Sequence, residues 1–382
     1  MTSQTSVRKI VWLNLVFFSL TAVLGFIGGP IYVARNGISF FEIALTLFYM
    51  AATGLSITAG YHRLFSHATY KAHPALQFLF LFFGAAAFEQ SALDWSAQHR
   101  DHHRFVDTER DPYSIQKGFF YAHIGWLIFW KHRVPYENVR DLEKNAMIRH
   151  QHQKYHLWAI GSGIVVPVLI GALAGHALGA FLLAFCFRTA FIHHATFCIN
   201  SVCHMFGTAT YDVHASAKDH WFVAYLTNGE GYHNFHHRFP SDYRNGIRWY
   251  HWDPSKWLIA SLAKAGLAWD LKKVSNFRIW EARLMAENQR VSEQINQPGK
   301  TRCAEELAAR LQEQYRRLAS VLRSWESVSR EHQLMFAEKL KPSAQIVENA
   351  IARIQEARKA FILERSRWLK MVRSSIRPAA LS

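Results

Sequence analysis

Hydrophobic and polar positions in this chain follow two different rhythms. Before about Asn200 the apolar residues form long blocks separated by polar, basic stretches. After about Trp280 they recur at the three- and four-residue steps of a surface helix. Residues 11–33 and 39–61 are each long enough to cross a bilayer, which takes ~20 residues of helix. A short turn around Arg35 to Gly37 separates them, so an antiparallel hairpin is expected, with Gly28-Gly29-Pro30 suiting the exit of its first helix. No small-residue cleavage pattern closes the first block, which reads as an anchor. Residues 157–174 and 177–199 form a second hairpin, joined at Gly175-His176. The block 74–95 is densest at Leu76 to Phe88, too short to cross, and is followed by Glu89, Gln90 and Asp94. A helix in the membrane interface, or dipping partway in, is expected there. Arg188 lies inside the fourth span and should face protein or snorkel.

Four crossings place the amino terminus, the 62–156 loop and everything after 200 on one side. That side collects nearly all the Lys and Arg, so it is expected to be cytoplasmic. The expected fold is all-α: a four-transmembrane-helix bundle with a cytoplasmic helical domain that holds a di-metal site, plus C-terminal amphipathic helices. Its parts are 1–61 and 157–199 (hairpins), 62–156 and 200–275 (cytoplasmic regions) and 276–382 (extension). In the extension Leu307, Leu311, Tyr315, Leu318, Leu322 and Trp325 mark a coiled-coil-like seam, interrupted at Pro298-Gly299 and Pro342. These helices could dock on the catalytic domain, on themselves or on a second copy, so a homo-oligomer is one expectation. Lys plus Arg total 44 against 28 Asp plus Glu. With the basic residues lying between and after apolar spans, this points to an anionic membrane face and an acidic partner, not nucleic acid. The four cysteines show no disulfide-framework spacing, in keeping with a reducing compartment.

The chemistry-bearing residues are histidines, 22 in all. His99, His102 and His103, and again His233, His236 and His237, stand at i, i+3 and i+4, so each triplet shares a helical face. His62 and His67 stand at i and i+5 where the second span leaves the membrane; this pair aligns less well, and the helix is expected to loosen there. Asn200 and His204, one turn apart, sit where the fourth span exits. Nine imidazoles exceed the four to six or so ligands of one ion and suit two ions, with Asn200 acting through a water. The remaining histidines, His193-His194 among them, read as structural. Imidazole ligation suits iron, copper or zinc. An apolar cavity favours redox-active iron with dioxygen, which can attack an unactivated hydrocarbon.

The boxes His62-Arg-Leu-Phe-Ser-His67, His99-Arg-Asp-His-His103 and His233-Asn-Phe-His-His237 resemble, in order and spacing, those of the membrane-bound delta-9 fatty acyl desaturases, stearoyl-CoA desaturase and its bacterial relatives. Asp107-Thr-Glu-Arg-Asp-Pro112, Gly118-Phe-Phe-Tyr-Ala-His-Ile-Gly-Trp126 and Asn200-Ser-Val-Cys-His204 extend the likeness, which runs from about Val7 to Asp270. The resemblance implies a di-iron centre on nine histidines and an Asn-bound water. It also implies dioxygen as co-substrate, a long-chain acyl-CoA desaturated near mid-chain, and an electron donor in trans (ferredoxin-like, or a small haem protein with its reductase). By the same likeness Trp95 and Thr196 would stand at the kink of an acyl tunnel, and Lys131 would contact the CoA phosphates. Ala97-Gln98 and Trp130 depart from the animal pattern, which leaves an acyl lipid or acyl carrier open as substrate. A bacterial inner membrane is the expected location. The rivals are a related di-iron hydroxylase, whose first box is shorter (His-x-x-x-His), and a metal transporter, which needs ligands near the bilayer midplane.

Overall fold

The computed structural model describes residues 9–129, 136–295, 302–337 and 343–376. Lys131 and Trp130, and the breaks at Pro298-Gly299 and Pro342, lie outside them. The chain divides into two compact units, residues 1–208 with 215–273, and 209–214 with 274–382.

In the first unit four helices are long and apolar enough to cross a membrane among the described residues: α1 (Trp12–Asn36), α2 (Phe40–Ser66), α5 (Tyr155–Leu173) and α6 (Ala177–Met205). Between the hairpins lie α3 (Pro74–Ala85) and α4 (Ala92–Phe105). After α6 come α7 (Trp221–Leu226), α8 (His233–Arg238) and α9 (Pro254–Lys264). The one sheet among the described residues pairs Lys71–Ala72 (β1) with Ala268–Trp269 (β2), antiparallel. It ties the end of the first loop to the end of the second.

Gly28-Gly29-Pro30 does not end the first span, as its composition suggested it would. The helix widens into a π turn over Leu24–Gly28 and then resumes as α over Gly29–Asn36. Pro30 sits in the first turn of that resumed segment, where its missing N–H costs little. Gly25 has its own reason: a Cβ there would stand 2.7 Å from the Phe187 Cα, so α1 and α6 touch backbone to backbone. α2 opens with a capping box, Ser39 Oγ accepting from the Glu42 N–H while the Ser39 N–H donates to the Glu42 carboxylate. Arg188 faces protein and is fully buried. It donates to Thr53 Oγ1 at 2.9 Å and to the carbonyls of Ala86, Ala184 and Gly163, so its charge is spread over oxygens from several elements.

The second unit consists mainly of α10 (Asn276–Ile295), α11 (Arg302–Ala337) and α12 (Ala344–Ile376). Leu311, Leu318 and Leu322 of the expected seam are buried with Leu284, Val291, Phe361 and Trp368, and Leu307, Tyr315 and Trp325 pack against them. Within that core Glu287 accepts from both the Arg365 guanidinium, at 2.6 Å, and the Trp368 indole N–H, at 3.2 Å. Ile351 on α12 is exposed. Residues 209–214, which the sequence places with the histidine loops, group with this unit, where the Gln289 amide meets His214 Nε2 at 2.7 Å.

Candidate metal centre

The nine histidines come together, although not box by box. His62, His67, His99, His103 and His236 form one group, and His102, His204, His233 and His237 a second, the ligand atoms of each lying within 4.8 Å of one another. Each helical triplet is therefore split. His99 and His103, one turn apart on α4, serve the first group while His102 points to the second. On α8 His233 and His237 serve the second while His236 crosses to the first.

The first box works for a reason that α-helical periodicity hides. Ser56–Ser66, the end of α2, is a π-helix of eleven residues, and the His67 N–H bonds the His62 carbonyl at 3.1 Å, the i→i+5 link of that geometry. The wider turn brings i and i+5 onto one face, and the two rings lie 4.9 Å apart. The loosening expected at this helix end is thus an ordered change of helix type.

Carboxylates behind the rings fix which nitrogen faces inward. Glu230 Oε2 lies 2.7 Å from His62 Nδ1, Asp111 Oδ1 lies 2.9 Å from His102 Nδ1, and Ser216 Oγ lies 2.6 Å from His204 Nδ1. With Nδ1–H donated outward, the Nε2 lone pairs of His62 and His102 are aimed into the groups. There the Nε2 atoms crowd: His236 Nε2 is 3.0 Å from that of His62 and 2.9 Å from that of His103, and His237 Nε2 is 3.0 Å from that of His233. Converging lone pairs repel unless a cation lies between them. Ligands ~2.1 Å from an octahedral ion stand ~3.0 Å apart, against ~3.4 Å for a tetrahedral one. The donor set suits one ion in each group, and the five-histidine group holds more donors than a closed tetrahedral zinc site takes.

Electrostatics point the same way. Burial, and then repulsion from neighbouring imidazoles, holds His67, His99, His103, His233, His236 and His237 well below the ordinary histidine range, so they stay neutral and able to ligate. Burial alone would raise the Glu230 carboxyl, but His62 and Arg63 overcome it and hold Glu230 low. Arg63, 1% exposed, is clamped between Glu230 and Asp253 at 2.9 and 3.0 Å. It joins α2 to the loop before α8 and so holds the first and third boxes in register.

A cavity of about 790 Å³ reaches this centre, with His62, His99, His102 and His233 in its wall. Most of the rest is apolar, from α1, α2, α5 and α6. Trp95 and Thr196 both line it: Trp95 stacks on His99 at 4.8 Å, and Thr196 Oγ1 donates to Glu89 at 2.9 Å. Asn200, one turn before His204, lines it too. Glu89 also accepts from the Trp95 indole, at 3.3 Å, and burial pushes its carboxyl up to about 7. Sequence reasoning passed over Glu89, Glu230 and Asp111. Asp111 stands inside the motif that follows the second box, and Glu230 three residues before the third, where an acid beside a histidine box is the available signal. His193, read as structural, lines the cavity as well, its Nε2 lying 2.7 Å from the Ala87 carbonyl oxygen.

A family model described as fatty acid desaturase matches residues 39–271. This chain belongs to the fatty acid desaturase family. Among curated relatives of this family member, Acyl-CoA desaturase 1 of Saccharomyces cerevisiae is 41% identical over 288 residues, 74% of this chain and 55% of the relative. Stearoyl-CoA desaturase 4 of Mus musculus is 34% identical over 278 residues, 70% of this chain and 77% of the relative. Delta(9)-fatty-acid desaturase fat-7 of Caenorhabditis elegans is 34% identical over 277 residues, covering 70% and 81%. The chain spans little more than half the length of its yeast relatives, 55% and 56%. The family match ends at residue 271, before α10 begins.

Proposed function

We propose that this protein is an oxygen-dependent desaturase of long-chain fatty acyl thioesters, acting at a two-iron centre at the membrane. The observation that carries the reading is the apolar cavity that ends against both histidine groups. The relatives' names supply acyl-CoA as the first substrate class and delta-9 as the first position to test. When bound, a redox-active iron pair supplies, with dioxygen, the oxidising power to break unactivated C–H bonds, which zinc cannot. Two C–H bonds on adjacent methylenes break and one C=C forms. Dioxygen takes those two hydrogens, two donor electrons and two protons, and leaves as two waters.

The protein's own part is positioning and exclusion. The apolar walls keep water from the reacting carbons. Trp95, held flat against His99 and bonded to Glu89, gives the acyl chain a rigid wall beside the first group. Glu89, whose carboxyl burial pushes up to about 7, takes a proton more readily than a free acid and can meet hydrocarbon in its neutral form. Glu230 and Asp111 hold the proton on the outward nitrogens of His62 and His102, keeping the inward ones free. Asn200 is assigned a water on the second group, and Lys131 a CoA phosphate. By the positive-inside rule the centre is cytoplasmic, and a basic face there suits an acidic external electron carrier. A bacterial inner membrane belongs to the same reading, although the relatives named above are eukaryotic.

The test is purified protein in proteoliposomes, supplied with a saturated acyl-CoA, reductant, a carrier and oxygen. An olefin located by mass spectrometry, and lost in His99→Ala, supports the proposal. An alcohol as sole product would convert it to hydroxylation, and metal flux without oxygen uptake to transport.

A further inference from the structure

The cavity does not stay inside the protein. Tyr225 on α7 and Trp252 before α9 line it, yet they are 59% and 41% exposed on the outside of the first unit. Their rings pack against each other at 5.1 Å, so the wall here is one side chain thick. On α2, Leu47 and Ala51 likewise line the cavity and face outward.

The depth of this thin wall follows from α2. A Cβ on Gly54 would lie 2.8 Å from Asn228 Nδ2, which puts the end of α7 beside Gly54. Gly54 is fourteen residues past Phe40, the start of the span, hence ~21 Å along the helix and still inside a hydrocarbon core ~30 Å thick. The neighbouring outward residues of α7, Trp221 and Phe222, are exposed aromatics of the kind that settle at a lipid interface. The thin wall therefore faces lipid, not water.

We propose that Tyr225 and Trp252 close a side port between the acyl cavity and the bilayer, and that they determine specificity by limiting the acyl chain length the cavity accepts. A chain that fits stays behind the aromatic pair, whereas a longer one must push its methyl end between the rings into lipid. This rests on the desaturase reading above, and the experiment separates the two. Proteoliposomes receive a mixture of palmitoyl-CoA and tetracosanoyl-CoA, and the ratio of the two olefins is read within each preparation, so loss of folded protein lowers both alike. Trp252→Ala and Tyr225→Ala are expected to raise the long-to-short ratio by on the order of tenfold, the low end of what a single methylene admitted to or barred from an apolar pocket is worth. Trp252→Phe should leave the ratio near that of the unsubstituted protein. In addition, Tyr225→Cys should react with a bilayer-soluble maleimide and resist a charged one, above the background of the native cysteines. Unchanged ratios, or labelling by the charged reagent alone, would overturn the port. No olefin from either substrate in the unsubstituted protein would overturn the desaturase reading instead.

Discussion

Replacing Glu230 by Gln tests whether the carboxylates behind the histidines build the metal centre. The two oxygens of Glu230 serve four nitrogens: Oε1 takes Arg63 Nη2 at 2.9 Å and Arg63 Nε at 3.2 Å, and Oε2 faces Asn245 Nδ2 at 2.6 Å and His62 Nδ1 at 2.7 Å. Glutamine has the same shape but a single acceptor oxygen, so its NH₂ must confront one set of donors. If it faces His62, the ring loses the partner that turns its Nε2 inward. If it faces Arg63, a guanidinium that is 1% exposed is left with Asp253 and the Tyr243 carbonyl. Partners of this kind are worth ~10–100-fold in metal affinity, ~1.4–2.7 kcal/mol. The loss should fall on the five-histidine group, because among the described hydrogen bonds the other group meets Glu230 only through its backbone, at His233, which the substitution leaves in place. Protein stripped of metal, then titrated anaerobically with ferrous iron in detergent, gives the stoichiometry by elemental analysis. At limiting free iron the unsubstituted protein should hold about two ions per chain and Glu230→Gln about one. Two ions bound with unchanged affinity would refute the reasoning.

Other expectations follow from the same contacts. The buried imidazoles titrate below their unfolded value of about 6.5, so the unfolded chain binds more protons as pH falls through that value. Metal-free protein should therefore begin to lose thermal stability as pH falls through about 6.5 and go on losing it until the folded imidazoles themselves take up protons, each steepening the fall by up to ~1.4 kcal/mol per unit; a flat melting profile would contradict this. Arg188→Met should destabilise the membrane bundle by ~3 kcal/mol or more, since buried carbonyls lose a charged donor; melting in detergent measures it, and an unchanged midpoint would rule it out. Glu287→Ala leaves Arg365 and the Trp368 indole without that acceptor, and ~3–5 kcal/mol should be lost from the α10–α12 unit, visible as faster proteolysis there; equal cleavage rates would count against it.

The spans were legible because hydropathy over ~20 residues needs no tertiary information, and the structure moves their ends by only a few residues. The seam of α11 was legible for a similar reason, since spacing alone puts Leu311, Leu318 and Leu322 on one face. Local signals failed where the backbone departs from α geometry. Nothing in Ser-Ile-Thr-Ala-Gly-Tyr-His announces a π-helix, so His62 and His67 looked poorly aligned. A stop at Gly28-Gly29-Pro30 was a fair reading of composition, but a single π turn absorbs the proline. The division of the histidines into five and four is tertiary information: adjacent residues such as His102 and His103 go to different groups because two elements approach them from different sides. Glu89 was invisible for the opposite reason, since one acid after an apolar block reads as the point where a helix meets water.

That interleaving bears on how the molecule is made. The five-member group is incomplete until His236 has been synthesised, and the four-member group until His237, although their first contributors are His62 and His102. A nascent chain with both hairpins already threaded through the membrane still has neither coordination sphere whole. Metal capture is consequently a late event in biogenesis, and a ribosome that stalls before the final box releases a polypeptide with neither histidine group complete.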